Sequence, residues 1–258
     1  MDQLVAGASE LGLTLTPDQL DALAAYEREL LDWNERFNLT AIRDPQQIRL
    51  RHFLDSFTCL LALAPRRDDG GLDVAAVSGS AIDVGSGAGF PGLPLRLVCP
   101  NLRLTLAESV GKKARFLEHL VSILGLQGVV IALGRAEDLA RLPAHRDRYD
   151  YALARALAPL PTLLEYCLPF LRPGGLLVAP KKGDLVAEVA ASQAALRALR
   201  GRWLPALPVH LAQLPDQREL LRVEKEGPTP AEFPRRAGLP GRQPIGSKAS
   251  RVVDKRAP

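Results

Sequence analysis

The residues best suited to chemistry fall in one string, Asp83-Val84-Gly85-Ser86-Gly87-Ala88-Gly89-Phe90-Pro91-Gly92. Its glycines let the backbone turn sharply and let a ligand approach with no Cβ in the way. Asp83, at the head of the string, attracts positive charge and repels phosphate. Two further acids follow, Glu108 and Glu137, the latter beside Ala136 within Gly134-Arg135-Ala136-Glu137-Asp138, and Arg155 lies beyond them. An earlier polar group comprises Asn38, Thr40, His52 and Asp55, the last two spaced i and i+3. Three basic pairs, Lys112-Lys113, Lys181-Lys182 and Arg235-Arg236, could take phosphates.

These side chains need elements to carry them. From residue 81 onward short β-rich runs alternate with helical segments. Strands are expected at 81–84, 102–107, 128–133, 149–154 and 176–180, with helices at 112–124 and 163–171. Such alternation means βαβ units, hence an α/β doubly wound and mostly parallel sheet covered on both faces. Its ligand site is expected beyond the carboxyl ends of the strands; Asp83 lies at the end of one strand, and Glu108, Glu137 and Arg155 follow the ends of others.

Residues 1–62 read as helical instead. Thr16-Pro17-Asp18-Gln19 is a capping signature and Asp44-Pro45-Gln46-Gln47 a second start signal. The expected organisation is therefore an N-terminal helical extension over 1–64, a Pro/Arg/Asp/Gly-rich linker over 65–80, a core over 81–224 and a basic segment over 225–258.

The glycine string supports two ligand readings. From Gly87 it satisfies G-x-G-x-x-G, the dinucleotide fingerprint. From Asp83 it reads D-x-G-x-G-x-G, a pattern of S-adenosylmethionine (SAM) enzymes. A dinucleotide would bring its pyrophosphate against Asp83, whereas SAM brings an ammonium and a sulfonium that a carboxylate favours. Glu108 suits either ligand, since both present ribose hydroxyls. Charge thus favours SAM, and Glu137 falls where an adenine edge would lie beside backbone donors. The fourth strand ends in Leu153-Ala154-Arg155-Ala156, not in the Asn/Asp-Pro-Pro-aromatic run that methylation of an exocyclic amine usually employs. A ring nitrogen such as guanine N7 has no proton to lose, so orientation should dominate the rate. Arg155 could grip a phosphate or a guanine edge, neutralise the SAM carboxylate, or form a salt bridge to Asp83 or Asp150.

Charge is divided along the chain: net −6 over residues 1–80, +5 over 81–224 and +5 over 225–258, summing to +4. A polyanionic partner for the basic part is one implication. The tail residues Arg242, Lys248, Arg251, Lys255 and Arg256 extend that basic character. Three scattered cysteines offer neither a disulfide framework nor a zinc knuckle, so a cytoplasmic setting and no metal are expected. No apolar run approaches the ~20 residues of a bilayer span, and no secretory leader is visible.

Asn38-Leu39-Thr40, His52-Phe53-Leu54-Asp55-Ser56, Asp83 through Leu95, Lys112-Lys113, Gly134 through Glu137, Ala154-Arg155-Ala156 and Pro234-Arg235-Arg236 occur together here. With these segments the chain resembles the bacterial small-subunit ribosomal RNA guanine-N7 methyltransferases, the RsmG (glucose-inhibited division protein B) family. The resemblance implies a Rossmann-like core that transfers a methyl group from SAM to guanine N7 in 16S ribosomal RNA. It implies SAM contacts at Gly85, Phe90, Glu108, Ala136, Glu137 and Arg155, joined by Asp83, Gly87 and Gly89 of the loop. Asn38, His52, Asp55 and Arg155 would form the catalytic side of the pocket. Thr40, Lys112, Lys113, Lys181, Lys182, Arg235 and Arg236 would face RNA. The expected substrate is 16S RNA or a partly assembled small ribosomal subunit, met by a monomer. Other expectations left open are SAM-dependent methylation of another RNA, a protein or a small molecule, and nucleotide binding without methyl transfer.

Overall fold

Helix α2 (Pro17–Phe37) starts where its capping signature places it. Thr16 Oγ1 accepts from the Gln19 amide at 3.3 Å, and Gln19 Oε1 accepts from the Thr16 amide at 3.0 Å. This computed structural model describes residues 1–247; Lys248, Arg251, Lys255 and Arg256 of the expected basic tail lie outside the described residues. Helix α1 (Asp2–Leu11) precedes α2, and a near-continuous helical stretch follows it: α3 (Pro45–Ile48), a π-helical turn (Arg49–Leu54), α4 (Asp55–Phe57) and α5 (Leu60–Leu63). Asp44 caps α3 by accepting from the Gln47 amide. Residues 65–78 contain no regular element beyond an Arg66–Leu72 bridge, although Leu72 and Val77 are buried.

The core alternates as the pattern requires: β1 (Gly79–Val84), α6 (Gly92–Val98), β2 (Leu102–Glu108), α7 (Gly111–Ile123), β3 (Val129–Leu133), α8 (Ala136–Leu139), β4 (Tyr149–Leu153), α9 (Leu160–Cys167) and β5 (Leu171–Lys182). Helix α10 (Val186–Ala198), β6 (Gly201–Leu211), β7 (Leu214–Lys225) and α11 (Leu239–Arg242) complete it. The sheet runs β3-β2-β1-β4-β5-β7-β6. Strands β1 to β5 pair in parallel, while β7 is antiparallel to β5 and β6 to β7. A short link between Leu211 and Leu214 forces that antiparallel pairing, because a parallel neighbour would need a long crossover.

Successive strand residues point to opposite faces, so each strand feeds two cores. Ala81, Leu104, Leu106 and Val178 join the helices of the N-terminal region, α6 and α7 on one face. Ile82, Val84, Leu177 and Ala179 pack with α9 and α10 residues on the other. Strand order reverses between β1 and β4, which opens a crevice beyond their carboxyl ends.

Two expectations need correction. Helix α9 begins three residues earlier than expected, at Leu160, and stops at Cys167, followed by a 3-10 turn (Leu168–Phe170). Strand β5 starts at Leu171, so Pro173-Gly174-Gly175 is an irregularity inside the strand rather than a turn before it. A Cβ on Gly175 would stand 2.9 Å from the carbonyl oxygens of Arg172 and Tyr149, so only glycine lets the strands close there.

The capping box lies far from the crevice and makes a clean stability test. Thr16→Ala is expected to cost about 1 kcal/mol in urea unfolding, with ligand binding at the crevice unchanged.

Candidate functional site

The glycine string follows β1, and buried carboxylates fix its shape. Asp83, fully buried, accepts from the Gly92 amide through Oδ2 at 2.8 Å. Glu108, at the end of β2, accepts from the Gly87 amide at 2.9 Å and from the Val110 amide at 2.8 Å. Glycine is obligatory at two points. Gly85, with φ +70°, would place a Cβ 2.5 Å from Leu157, and Gly89, with φ +96°, would place one 2.6 Å from both Leu93 and the Tyr26 hydroxyl.

Two buried polar atoms of the loop have no protein partner, Asp83 Oδ1 and Ser86 Oγ. Beside the loop lies a cavity of about 80 Å³ lined by Gly85, Ser109, Ala136, Glu137, Leu157 and Tyr166 among others. The orphaned acceptors of the loop and a cavity wall without Cβ atoms at Gly85 and Gly134 suit a ligand that brings hydroxyls, as SAM does. A pyrophosphate laid against the loop would meet the Glu108 carboxylate that holds the Gly87 amide.

Opposite the loop, Arg155 follows β4 and faces the N-terminal helices. Its guanidinium donates to Asp55 Oδ2 at 2.9 Å, to the Arg51 carbonyl at 3.1 Å and to His52 Nδ1 at 3.1 Å. Neither Asp83 nor Asp150 is its salt-bridge partner; Asp150 is engaged by Ser80 and Arg172. The Arg155 guanidinium carbon also stands 5.1 Å from the Phe90 ring centre, a cation–π distance. Since arginine only donates, His52 Nδ1 must accept, and Nε2–H donates to Thr40 Oγ1 at 2.8 Å. Burial, reinforced by Arg155, pushes the His52 pKa down to about 3, so the ring stays neutral. It stacks on Phe90 at 4.5 Å, and Phe90 stacks on Tyr26 at 5.2 Å.

Asp55 is buried, and its second oxygen is taken by Arg218 from β7. Arg218 in turn pairs with Asp216, which also binds Lys182 at 2.9 Å. Thr40, His52, Arg155, Asp55, Arg218, Asp216 and Lys182 thus form one continuous polar chain. It borders a second cavity of about 400 Å³, lined by Ile42, Arg51, His52, Asp55, Arg155 and Lys181 among others.

Several expected residues stand elsewhere. Asn38 is exposed, caps α2 with φ +49° and does not line either cavity. Lys112 is exposed and Lys113 half-buried in the first turn of α7, beyond β2. Lys181 is tied to Glu188 at 2.7 Å, and Lys182 is exposed apart from its pair with Asp216. Arg235 is committed to the fully buried Glu165, while Arg236 is exposed. The side chain of Glu137 is buried and accepts from the Gly238 amide at 2.8 Å.

Sequence reasoning missed Arg218, Tyr26, Asn34 and Tyr166. Arg218 falls in a stretch for which the sequence predicts no element, and Tyr26 lies in the α2 region with no pattern to mark it, although its hydroxyl donates to the Ala88 carbonyl inside the loop. Asn34 accepts the Thr40 amide at 2.9 Å and so closes the turn that presents Thr40 to His52. Only Asn34 carried a signal, a polar residue among the buried positions of an amphipathic helix.

A family model described as rRNA small subunit methyltransferase G matches residues 19–213. A protein of Roseiflexus sp. (strain RS-1) named Ribosomal RNA small subunit methyltransferase G is 45% identical over 245 residues, covering 95% of this chain and 100% of that one. The protein of that name from Deinococcus deserti is 46% identical over 242 residues, covering 94% and 95%. Among solved structures, MtNAS in complex with MTA and tNA aligns with a TM-score of 0.50 at 15% identity, covering 80% of this chain and 74% of that one, a likeness of fold.

Burial raises the Asp83 pKa to about 7, against the opposing pull of the Gly92 amide and Arg155. A carboxyl whose folded pKa exceeds its unfolded value near 3.8 holds more protons in the folded state between those two values. Its contribution to stability therefore falls as pH rises from about 4 to about 7. Asp83→Asn keeps an acceptor for the Gly92 amide and cannot ionise. Urea unfolding at pH 5 and pH 8 is expected to show a smaller loss of stability in the variant than in the wild type; equal losses would show that Asp83 does not titrate there.

Proposed function

This chain belongs to the rRNA small subunit methyltransferase G family, and from that membership together with its site we infer that it transfers a methyl group from SAM to N7 of a guanine in 16S ribosomal RNA. The observation that carries the assignment of the site is the glycine loop held open by Asp83 and Glu108 beside the point where strand order reverses. Gly85, Gly87 and Gly89 would hold the cofactor, with Glu108 to receive ribose hydroxyls and the Ala136–Glu137 backbone and Tyr166 to border the adenine. Carboxylate oxygens already bonded to one amide each keep a second lone pair for such hydroxyls. The target guanine enters the 400 Å³ cavity on the other side of Phe90.

When bound at the glycine loop, SAM would supply an electrophilic methyl on its sulfonium sulfur; guanine N7 would form the new C–N bond with its lone pair as the C–S bond breaks, with S-adenosylhomocysteine as the leaving group. N7 has no proton to release, so this chain needs no general base. Neutral His52 acts by shape and hydrogen bonding. Arg155 fixes His52 and Asp55 around the pocket and presents its face to Phe90 without needing to hold N7, whose lone pair must stay free. Alignment and exclusion of water are what the site contributes.

A guanine in folded RNA has to be extruded to reach such a pocket. Phosphate contacts fall to the exposed cations Lys112, Lys182 and Arg236, with Lys113 beside them. The reading takes the enzyme to act as a monomer. A cytoplasmic location is part of this reading because its substrate is 16S ribosomal RNA. Among the described residues no helix is long and apolar enough to cross a membrane.

The deciding experiment incubates the protein with labelled SAM and small ribosomal subunits lacking the modification, then maps the methyl. Label at guanine N7 of 16S RNA is expected; label on protein or on another base atom rejects the reading. Calorimetry should show SAM binding, and tight NAD binding without it would reject the cofactor. Arg155→Ala is expected to lower methyl transfer about 100-fold through loss of alignment. Its fold should persist, because Arg218 still neutralises Asp55. Unchanged turnover would remove Arg155 from the site.

A further inference from the structure

The segment after β7 carries few regular elements, yet its backbone is bound at many points by side chains of the core. Arg146 donates to the carbonyls of Thr229, Pro230 and Phe233, at 2.9, 3.0 and 2.7 Å. Arg141 donates to the Pro234 carbonyl. Lys225, fully buried, donates to Thr229 Oγ1 at 2.8 Å and to the Leu168 carbonyl at 3.1 Å. These bonds fix the segment along the side of the sheet that carries α8 and α9.

Three further ties reach those two helices themselves. Glu165 of α9, with no exposed surface, takes the Arg235 amide at 2.8 Å and its guanidinium at 2.6 Å. Thr162 of α9 donates to the Pro240 carbonyl at 3.0 Å. Glu137 of α8 takes the Gly238 amide at 2.8 Å. Gly238 has φ +80°, a left-handed conformation that glycine adopts without penalty. Glu137 and the α9 residue Tyr166 both line the small cavity beside the glycine loop. A Cβ on Gly241 would stand 3.4 Å from the Tyr166 hydroxyl, so the segment also backs that side chain.

We propose that residues 229–242 form a clasp that sets the spacing of α8 and α9 and thereby the width of the SAM cavity, with Arg235 and Gly238 as positioning residues acting through Glu165 and Glu137. The inference rests on the reading that this cavity takes the adenosyl part of SAM. The clasp lies wholly outside the residues matched by the family model, which end at 213. It also gives Arg235 a task other than RNA contact. A clasp that tightens the cavity must itself be tightened by the ligand, since coupling between two sites is reciprocal.

Two measurements test this on the full chain. Replacing both members of the buried pair, Glu165→Gln with Arg235→Gln, removes the charge while keeping hydrogen-bonding groups. Neither residue lines the cavity. Calorimetry with SAM is expected to show binding about tenfold weaker than wild type, equivalent to about 1.4 kcal/mol. The KM for SAM should rise in step, while kcat at saturating SAM and the KM for the RNA substrate stay within about twofold, a factor worth less than about 0.5 kcal/mol. A merely structural role would instead lower the active fraction, and so kcat, at constant SAM affinity; that outcome overturns the proposal. Should the double variant not fold, amide exchange of the wild-type protein decides. SAM is expected to slow exchange across 229–242, Gly238 included, and exchange unaffected by SAM overturns the clasp. Wild-type protein that binds no SAM would defeat the cofactor assignment itself, a failure distinct from either of these.

Discussion

The site depends on carboxylates that accept backbone amides. Asp83 holds Gly92 and Glu108 holds Gly87, so the two acids at the ends of neighbouring parallel strands grip opposite ends of the same loop. Left unpaired, a buried amide would cost more than a kilocalorie, about 1–3 kcal/mol, and a buried carboxylate more still. Each therefore compensates the other. The result is a rigid concave turn with the Glu108 carboxylate on the Gly87 amide, an unfavourable neighbour for a dinucleotide's pyrophosphate.

A second buried group plays the same part between distant segments. Asp55 belongs to the N-terminal helices, Arg155 to the end of β4 and Arg218 to the hairpin of β6 and β7. One carboxylate shared by two guanidiniums brings these three regions to the rim of a single cavity. Stability alone does not explain such a cluster, because buried ion pairs often do no better than apolar replacements. What the cluster provides is placement: Arg155 can orient His52 only while Asp55 holds it from the other side.

Much of this was legible in the sequence because it depends on local rules. The capping box at Thr16, the short apolar runs of β1 and β2, the glycines and the strand-end acids each follow from patterns over a few residues. The α/β class and the cofactor followed from them, and the family resemblance carried the substrate. What was not legible depends on long-range pairing. The antiparallel β6 and β7 have little of the clean alternation of a half-buried strand, with exposed Arg202, Pro205 and Ala206 interrupting the first. Arg218 acquires meaning only when β7 is laid beside β5 and reaches Asp55, 163 positions away. Likewise the buried partners of Glu137 and Arg235 cannot be read from their own neighbourhoods; Arg235 looks like a free surface cation until Glu165 is placed beside it.

The three-ring stack of Tyr26, Phe90 and His52 ties the helices of residues 1–63 into the catalytic half of the molecule. Tyr26 supplies the floor under Phe90 and fastens Ala88 by its hydroxyl, while His52 forms the roof. Both outer rings are donated by the N-terminal helices, and the middle one by the cofactor loop. An excised sheet domain would leave Phe90 wet on two faces and the loop free to sag. Grafting the amino-terminal part of one relative onto the core of another would therefore succeed only where these three rings and their spacing travel as a set.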